Sequence, residues 1–200
     1  MPQITLTLDD FSIENHRLDL LLTLKNWIPN FKVSLFTIPV DIKNKGLNRS
    51  ALSRIKENLY WIEIIPHGLY HNSSEAKKWS YGEFKNEIIP AIDKAFKKDG
   101  LPYVKGFKAP HWDWNAEVVR ALDDLGWWGA ISPKRPEMPQ TKRYYTYDYS
   151  IDETFVLKPI LRLQGHINPA CKDDLELNME NLMKLPKDAK WVFASKLVEK

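Results

Sequence analysis

Cysteine is nearly absent from this 200-residue chain: Cys171 stands alone. A single thiol excludes an intrachain disulfide and a zinc site built on cysteines, and is compatible with a reducing compartment. Long apolar runs are missing too. Nothing approaches the ~18 consecutive apolar residues of a membrane span. The opening MPQITLTLDD has none of the basic, apolar and small-residue regions of a signal peptide. These absences predict a cytoplasmic chain with no membrane span. Charge of one sign is also scarce: 29 Lys and Arg against 26 Asp and Glu leave a net +3, scattered along the chain. That excludes an electrostatic case for nucleic acid as a partner. There is no internal repeat, low-complexity run or linker.

What is present is ordinary globular material, 44% hydrophobic and 28% charged, with eight Trp as the compositional oddity. The length suits one domain with a proper core and is short for two. Apolar, β-prone runs at Ile4–Leu8, Val33–Ile38, Trp61–Ile65, Tyr103–Phe107, Trp128–Ile131, Ile160–Leu163 and Trp191–Phe193 alternate with amphipathic stretches. Asn15 is placed to cap a helix through Leu18, Leu21, Leu22 and Leu24 to about Trp27, ahead of Pro29. Ser50 is placed to cap one through Leu52, Ile55 and Leu59. Ser80-Tyr81-Gly82-Glu83 fits a capping box opening a helix to Gly100, which Pro90 should kink or split. Asp113 or Asn115 precedes a helix closed by Gly126. Strands separated by helical patterns of roughly 10–15 residues imply a parallel sheet in an α/β fold. About seven strands in so short a chain suggest a compact β/α barrel, closed or incomplete. Lys134–Lys142, with Pro136 and Pro139, reads as a loop.

Asp9, Asp10, His67, Lys108 and His166 all fall just after these β-prone runs, where β/α barrels carry their chemistry. His67 and His71 lie four residues apart, but Gly68 between them rules out the His-Glu-x-x-His pattern and its Glu base. The pair could ligate a divalent metal, or hydrogen-bond within a polar loop. Asp9-Asp10 could supply one ligand and one base, or simply end a strand in solvent. Neighbouring strand residues point to opposite sides, so both reach one pocket only if the chain turns there. A lone His166 is structural or a proton donor to a leaving amine.

The combination resembles the polysaccharide deacetylases, carbohydrate esterase family 4, as a divergent member. Their Thr-Phe-Asp-Asp-Gly reads here Thr7-Leu8-Asp9-Asp10-Phe11, and their His-Ser/Thr-x-x-His reads His67-Gly68-Leu69-Tyr70-His71. Their Arg-x-Pro plus aromatic is similar to Lys108-Ala109-Pro110-His111-Trp112, and their late Leu-x-His to Leu163-Gln164-Gly165-His166 with one extra residue. The resemblance implies one catalytic domain over residues 1–200 with a β/α barrel fold. It implies a metal-dependent hydrolase acting on a linear amide bond, removing an N-acetyl group from a sugar or polysaccharide. In it Asp9 is the base and His166 the acid. Asp10, His67 and His71 hold a divalent metal, zinc first, with cobalt, nickel or manganese as alternatives. Lys108 takes the place of the cation that orders the base, and the amide of His111 that of an oxyanion donor. His111, Trp112 and Tyr144 are the candidate substrate-binding residues, with Trp114 divided between sugar stacking and core packing.

Four departures stand out: Lys108 for Arg, Phe11 for Gly, Gly68 for Ser/Thr, and no counterpart of the family's fourth motif, an Asp followed by Trp. Asp148 is the one candidate to orient His166 in its place. The alternatives are a catalytically inactive metal- or carbohydrate-binding barrel, or a metal hydrolase of another ester or amide.

Overall fold

The computed structural model describes residues 1–13, 16–40, 49–169 and 171–199. Strands and helices alternate from the start: β1 (Gln3–Phe11), α1 (Leu18–Trp27), β2 (Val33–Thr37), α2 (Arg49–Glu57) and β3 (Ile62–Pro66). Next come α3 (Glu75–Lys78), α4 (Tyr81–Glu83), a π-helical turn (Phe84–Ile88), α5 (Ile89–Asp99) and β4 (Gly106–Phe107). A 3-10 turn (Pro110–Trp112), α6 (Ala116–Asp124), β5 (Trp128–Ala130), β6 (Tyr144–Tyr145) and β7 (Tyr149–Ser150) follow. The chain closes with β8 (Ile160–His166), α7 (Met179–Met183), β9 (Lys190–Trp191) and a 3-10 turn (Ala194–Lys196). Beyond the seven expected strands, the described residues add β6 and β7, each two residues long.

The fold is α/β with parallel sheet. Strands run in the order β3-β2-β1-β8-β7 with β9 also on β1, and a second sheet runs β4-β5-β6. Among the described residues no pairing closes the sheets into a barrel, and no helix is long and apolar enough to cross a membrane. The chain forms two compact units, residues 1–35, 47–63 and 147–196, and residues 36–46, 64–146 and 197–200; the boundary runs through β2 and β3.

In the first unit β1 is the organising strand. Ile4, Leu6 and Leu8 are fully buried on one side, and so are Thr5 and Thr7 on the other. Burial on both sides is what a central parallel strand requires, and each aliphatic side chain contributes about 1.5–3 kcal/mol. Thr7 removes its hydroxyl from solvent by donating to the Leu163 carbonyl at 3.2 Å. The β1–β8 pairing is parallel and pairs Leu6 with Leu163, Leu8 with Gly165 and Asp9 with His166. Helix α1 buries Leu18, Leu21 and Leu24, the spacing of one helical face. The proposed cap Asn15 lies outside the described residues; the Leu18 N–H donates to Nδ1 of His16 at 3.0 Å. Ser50 does not cap α2 but stands inside it, because the helix already includes Arg49.

In the second unit Ser80 makes the expected capping box. Its Oγ accepts from the Glu83 N–H at 3.2 Å, and the Glu83 carboxylate accepts from the Ser80 N–H at 3.4 Å. Pro90 neither ends nor splits the helix. It lacks the N–H that the carbonyl one turn earlier would accept, and the chain widens into the π turn over Phe84–Ile88 before continuing as α5. Gly100, at φ 62°, closes it. Asn115 rather than Asp113 caps α6, accepting from the Val118 N–H at 2.9 Å. After β3, His67 bridges to Lys108 in parallel, and Phe107 of β4, Gly129 of β5 and Tyr144 of β6 share one level of the second sheet.

Candidate functional site

The candidate residues fall into two groups. Asp9, Asp10 and His166 belong to the first unit; His67, His71, Lys108, His111, Trp112 and Tyr144 belong to the second.

In the first group, register does the placing. Asp9 and His166 are partners at the ends of adjacent parallel strands. Nε2 of His166 lies 3.6 Å from Oδ2 of Asp9, and the Gln164 side chain donates to the same oxygen at 3.2 Å. Asp9 is buried, at 2% exposure. Asp10 adopts φ 62°. This left-handed residue breaks the alternation of the strand, which is the turn the adjacent carboxylates need. As a result the Asp10 carboxylate, a ring nitrogen of His166 and Sγ of Cys171 all lie within 4.8 Å of one another.

His166 is oriented from behind. Its Nδ1 stands 2.8 Å from Oδ1 of Asp173. A carboxylate can only accept, so Nδ1 carries the proton and Nε2 is presented toward Asp9. Ser150 donates to the other Asp173 oxygen at 3.0 Å. Burial works against the charged form of Asp173, but the hydrogen bond and charge of His166, with the Ser150 hydroxyl, outweigh it and hold the carboxyl below its ordinary value. Burial pushes the Cys171 thiol up, and the carboxylates of Asp173, Asp10, Asp9 and Asp174 push the same way. Asp148, the sequence candidate for orienting His166, is engaged elsewhere: it accepts from Lys158 at 3.1 Å and from the Arg162 N–H at 2.9 Å. The orienting residue that sequence reasoning missed is Asp173. The extra Gly165 explains how it gets there. A Cβ at Gly165 would stand 2.8 Å from the Asp173 carbonyl and 2.4 Å from Ile151. Without it, the loop after β8 folds back until that carbonyl accepts the His166 N–H at 2.9 Å. Phe11, where the family pattern has Gly, is fully buried in the core.

In the second group, loops do the placing. His67 is buried, and its Nδ1 lies 3.1 Å from the Lys108 carbonyl. A carbonyl accepts, so Nδ1 is the donor and Nε2 keeps its lone pair for a metal. The His71 ring lies 4.7 Å from that of His67, and the His111 ring 5.4 Å from that of His71, between centroids. The segment between the two histidines is wrapped on a buried carboxylate. Glu75 accepts from the N–H groups of Leu69 at 2.8 Å, Tyr70 at 3.2 Å and His71 at 3.2 Å. This accounts for Gly68 in place of Ser/Thr: it sits at φ 65°, and a Cβ there would fall 2.0 Å from Oε1 of Glu75 and 2.6 Å from Pro110. Glu75 supports the loop that a hydroxyl would otherwise support. It is not singled out in the sequence, because it carries no motif spacing; its acidic character near the His pair is the one signal there.

Lys108 is fully buried, with Nζ 3.4 Å from the centroid of the Trp112 ring and 4.9 Å from that of Phe36. Its charge is held by aromatic faces, and one face of Trp112 is thereby taken. His111 and Trp112 are consecutive left-handed residues at φ 56° and 58°, with Arg135 donating to the His111 carbonyl at 2.8 Å. Trp114 is core: it is 4% exposed, its ring stacks on Phe107 at 6.2 Å, and its Nε1 donates to the Pro139 carbonyl at 2.8 Å. Tyr144 belongs to β6, where its N–H donates to the Glu199 carbonyl at 3.1 Å and its carbonyl accepts from the Glu199 N–H at 2.8 Å.

No family model matches this chain, and no curated protein matches it. Solved structures do. It is similar to the carbohydrate esterase family 4 domain of a multidomain xylanase from the hindgut metagenome of Trinervitermes trinervoides. The TM-score is 0.61 at 16% identity, over 98% of this chain and 89% of that one. It is similar to a peptidoglycan N-acetylglucosamine deacetylase, with TM-score 0.61 at 17% identity, over 97% and 86% of the two chains. It is also similar to a family 4 pseudoenzyme from Bacillus anthracis, with TM-score 0.56 at 15% identity, over 98% and 64%. A mutant of that pseudoenzyme has restored activity. The fold of this chain is thus that of family 4 carbohydrate esterases, the group its motifs resemble.

Proposed function

We propose that this chain, acting as one catalytic domain on an incomplete β/α barrel scaffold, is a divergent polysaccharide deacetylase: a metal-dependent hydrolase that removes an N-acetyl group from a sugar or glycan. The observation that carries the reading is the ordered set Asp9, His166 and Asp173, a carboxylate and an imidazole on adjacent strand ends with a second carboxylate fixing the imidazole. A merely structural histidine has no need of this arrangement.

The donor chemistry fits a divalent cation. Nε2 of His67 keeps its lone pair because Nδ1 donates to a carbonyl, and His71 is its ring neighbour. With Asp10 these would hold the ion, zinc first. When bound, the cation would polarise the amide carbonyl and make water acidic enough to lose a proton near neutrality. Asp9, held by Gln164, takes that proton. The hydroxide adds to the acetyl carbon, and the amide of His111 donates to the developing oxyanion. As the C–N bond breaks, His166 in its imidazolium form gives the Nε2 proton to the leaving nitrogen and returns to the neutral Nδ1–H form that Asp173 holds. Acetate and a free amine result. Lys108 supplies positive charge to the base without spending it in solvent, and His111, Trp112 and Tyr144 are the proposed substrate contacts.

The second reading, an inactive binding barrel, has the Bacillus anthracis pseudoenzyme on its side. Acetate release separates the two. The zinc-loaded chain, presented with N-acetylglucosamine oligomers and peptidoglycan, is expected to release acetate, and Asp9→Asn is not. Equal release from both would remove the hydrolase reading.

A further inference from the structure

The loop after β8 brings to two residues of the proposed reaction, Asp10 and His166, a thiol that the reaction does not use. His166 donates its N–H to the Asp173 carbonyl at 2.9 Å and accepts the Leu175 N–H on its own carbonyl at 2.8 Å. Between these anchors the chain turns back, and Cys171, half-buried, comes within 4.8 Å of both the Asp10 carboxylate and a His166 ring nitrogen. We infer that Asp10, His166 and Cys171 form a second, thiolate-containing site for a borderline-soft divalent cation such as Zn2+, Co2+ or Cd2+.

Three arguments carry it. Sulfur, nitrogen and oxygen donors in one set suit these metals and disfavour magnesium or calcium, which take oxygen alone. Three protein ligands leave a fourth position for water, as in open zinc sites. Independently of the ligand set, Asp173 holds Nδ1–H of His166 at 2.8 Å and is itself held by Ser150. That carboxylate–imidazole pairing fixes Nε2 as the ligand atom and is the usual outer support of a metal-bound histidine. Binding displaces the Cys171 thiol proton to solvent and forms the metal–sulfur bond. If the hydrolase reading holds, occupancy withdraws Asp10 and Nε2 of His166 from it, and excess zinc inhibits. This consequence rests on that reading; the site itself does not.

The test is a Co2+ titration of the metal-free, reduced 200-residue chain, following the near-ultraviolet sulfur-to-cobalt charge-transfer band. The wild-type chain should show the band and Cys171→Ser should lose it. His67→Ala/His71→Ala, which removes the proposed catalytic imidazoles, should keep it. Asp173→Asn should weaken half-saturation by about 10–100-fold. A wild-type chain without the band overturns the proposal. So does a band that survives Cys171→Ser, or one that disappears with the two imidazoles, since the thiolate would then be joining an ion they hold. The double-imidazole variant thus separates failure of this site from failure of the hydrolase reading.

Discussion

The two groups of candidate residues are built in opposite ways. In the first unit Asp9 and His166 are fixed by strand register, one pair of partners in a parallel ladder, and the finer adjustment comes from side chains: Gln164 on Asp9, Asp173 on His166, Ser150 on Asp173. In the second unit His67 and His71 flank a loop whose shape is set by backbone donors converging on one buried carboxylate, Glu75. Left-handed non-glycine residues at His71, His111 and Trp112 store the strain. Groups that move protons are thus held by strands, whereas the two imidazoles proposed to bind a cation are held by a loop that is expensive to form. The first arrangement should be sensitive in chemistry and tolerant in stability. In the second, the residues that shape the loop should be sensitive in stability.

The largest expected effect tests the chemical side. Asp9→Asn should lower kcat by about 10²–10⁴-fold while keeping its metal, whereas Asp10→Ala and His71→Ala should lose metal; metal content and turnover measured together decide it. Metal loss in Asp9→Asn equal to that in the other two would end the separation of roles. Next comes the loop. Glu75→Ala strands three N–H groups and should cost about 1.5–3 kcal/mol. Gly68→Ser, at a left-handed position crowded by Glu75, should cost about 1–3 kcal/mol. Both are read from urea unfolding, and Glu75→Ala combined with Gly68→Ser should cost less than the sum, because the collision has been removed. Full additivity would show that Gly68 is not there for Glu75.

The smallest effect concerns pH. The Asp173 carboxyl is held below its ordinary value in the folded chain. Its contribution is therefore fully present above the unfolded carboxylate value and is lost as pH falls through the lower, folded one. The Tm difference between wild type and Asp173→Asn should be steady at neutral pH and shrink below about pH 4. A difference that grows on acidification would contradict the ion pair with His166.

Much of this was legible in the sequence. The alternation of apolar runs and amphipathic stretches gives the parallel α/β fold, and the strand-end positions of Asp9, His67, Lys108 and His166 follow from it. The Ser80 capping box and the Gly100 and Gly126 stops read directly because they depend on neighbours in the chain. What stayed hidden depends on contacts without fixed spacing. Asp173 reaches His166 through a loop that only Gly165 lets close, and Asp148, nearer to the family's expectation, is held by Lys158 and Arg162 instead. Glu75 and Gly68 are each uninformative alone; together they replace a hydroxyl by a carboxylate. The lone cysteine, which excludes a site made of cysteines, does not exclude one mixed set with Asp10 and His166.

The most direct test of the central claim is zinc content after reconstitution of the Cys171→Ser chain, in which the thiolate site is gone, beside the same chain carrying His67→Ala/His71→Ala. The account predicts about one zinc per chain in the first and none in the second. Absence of specific zinc from the first, or equal zinc in both, would contradict the metal-dependent hydrolase and leave a binding barrel as the better description.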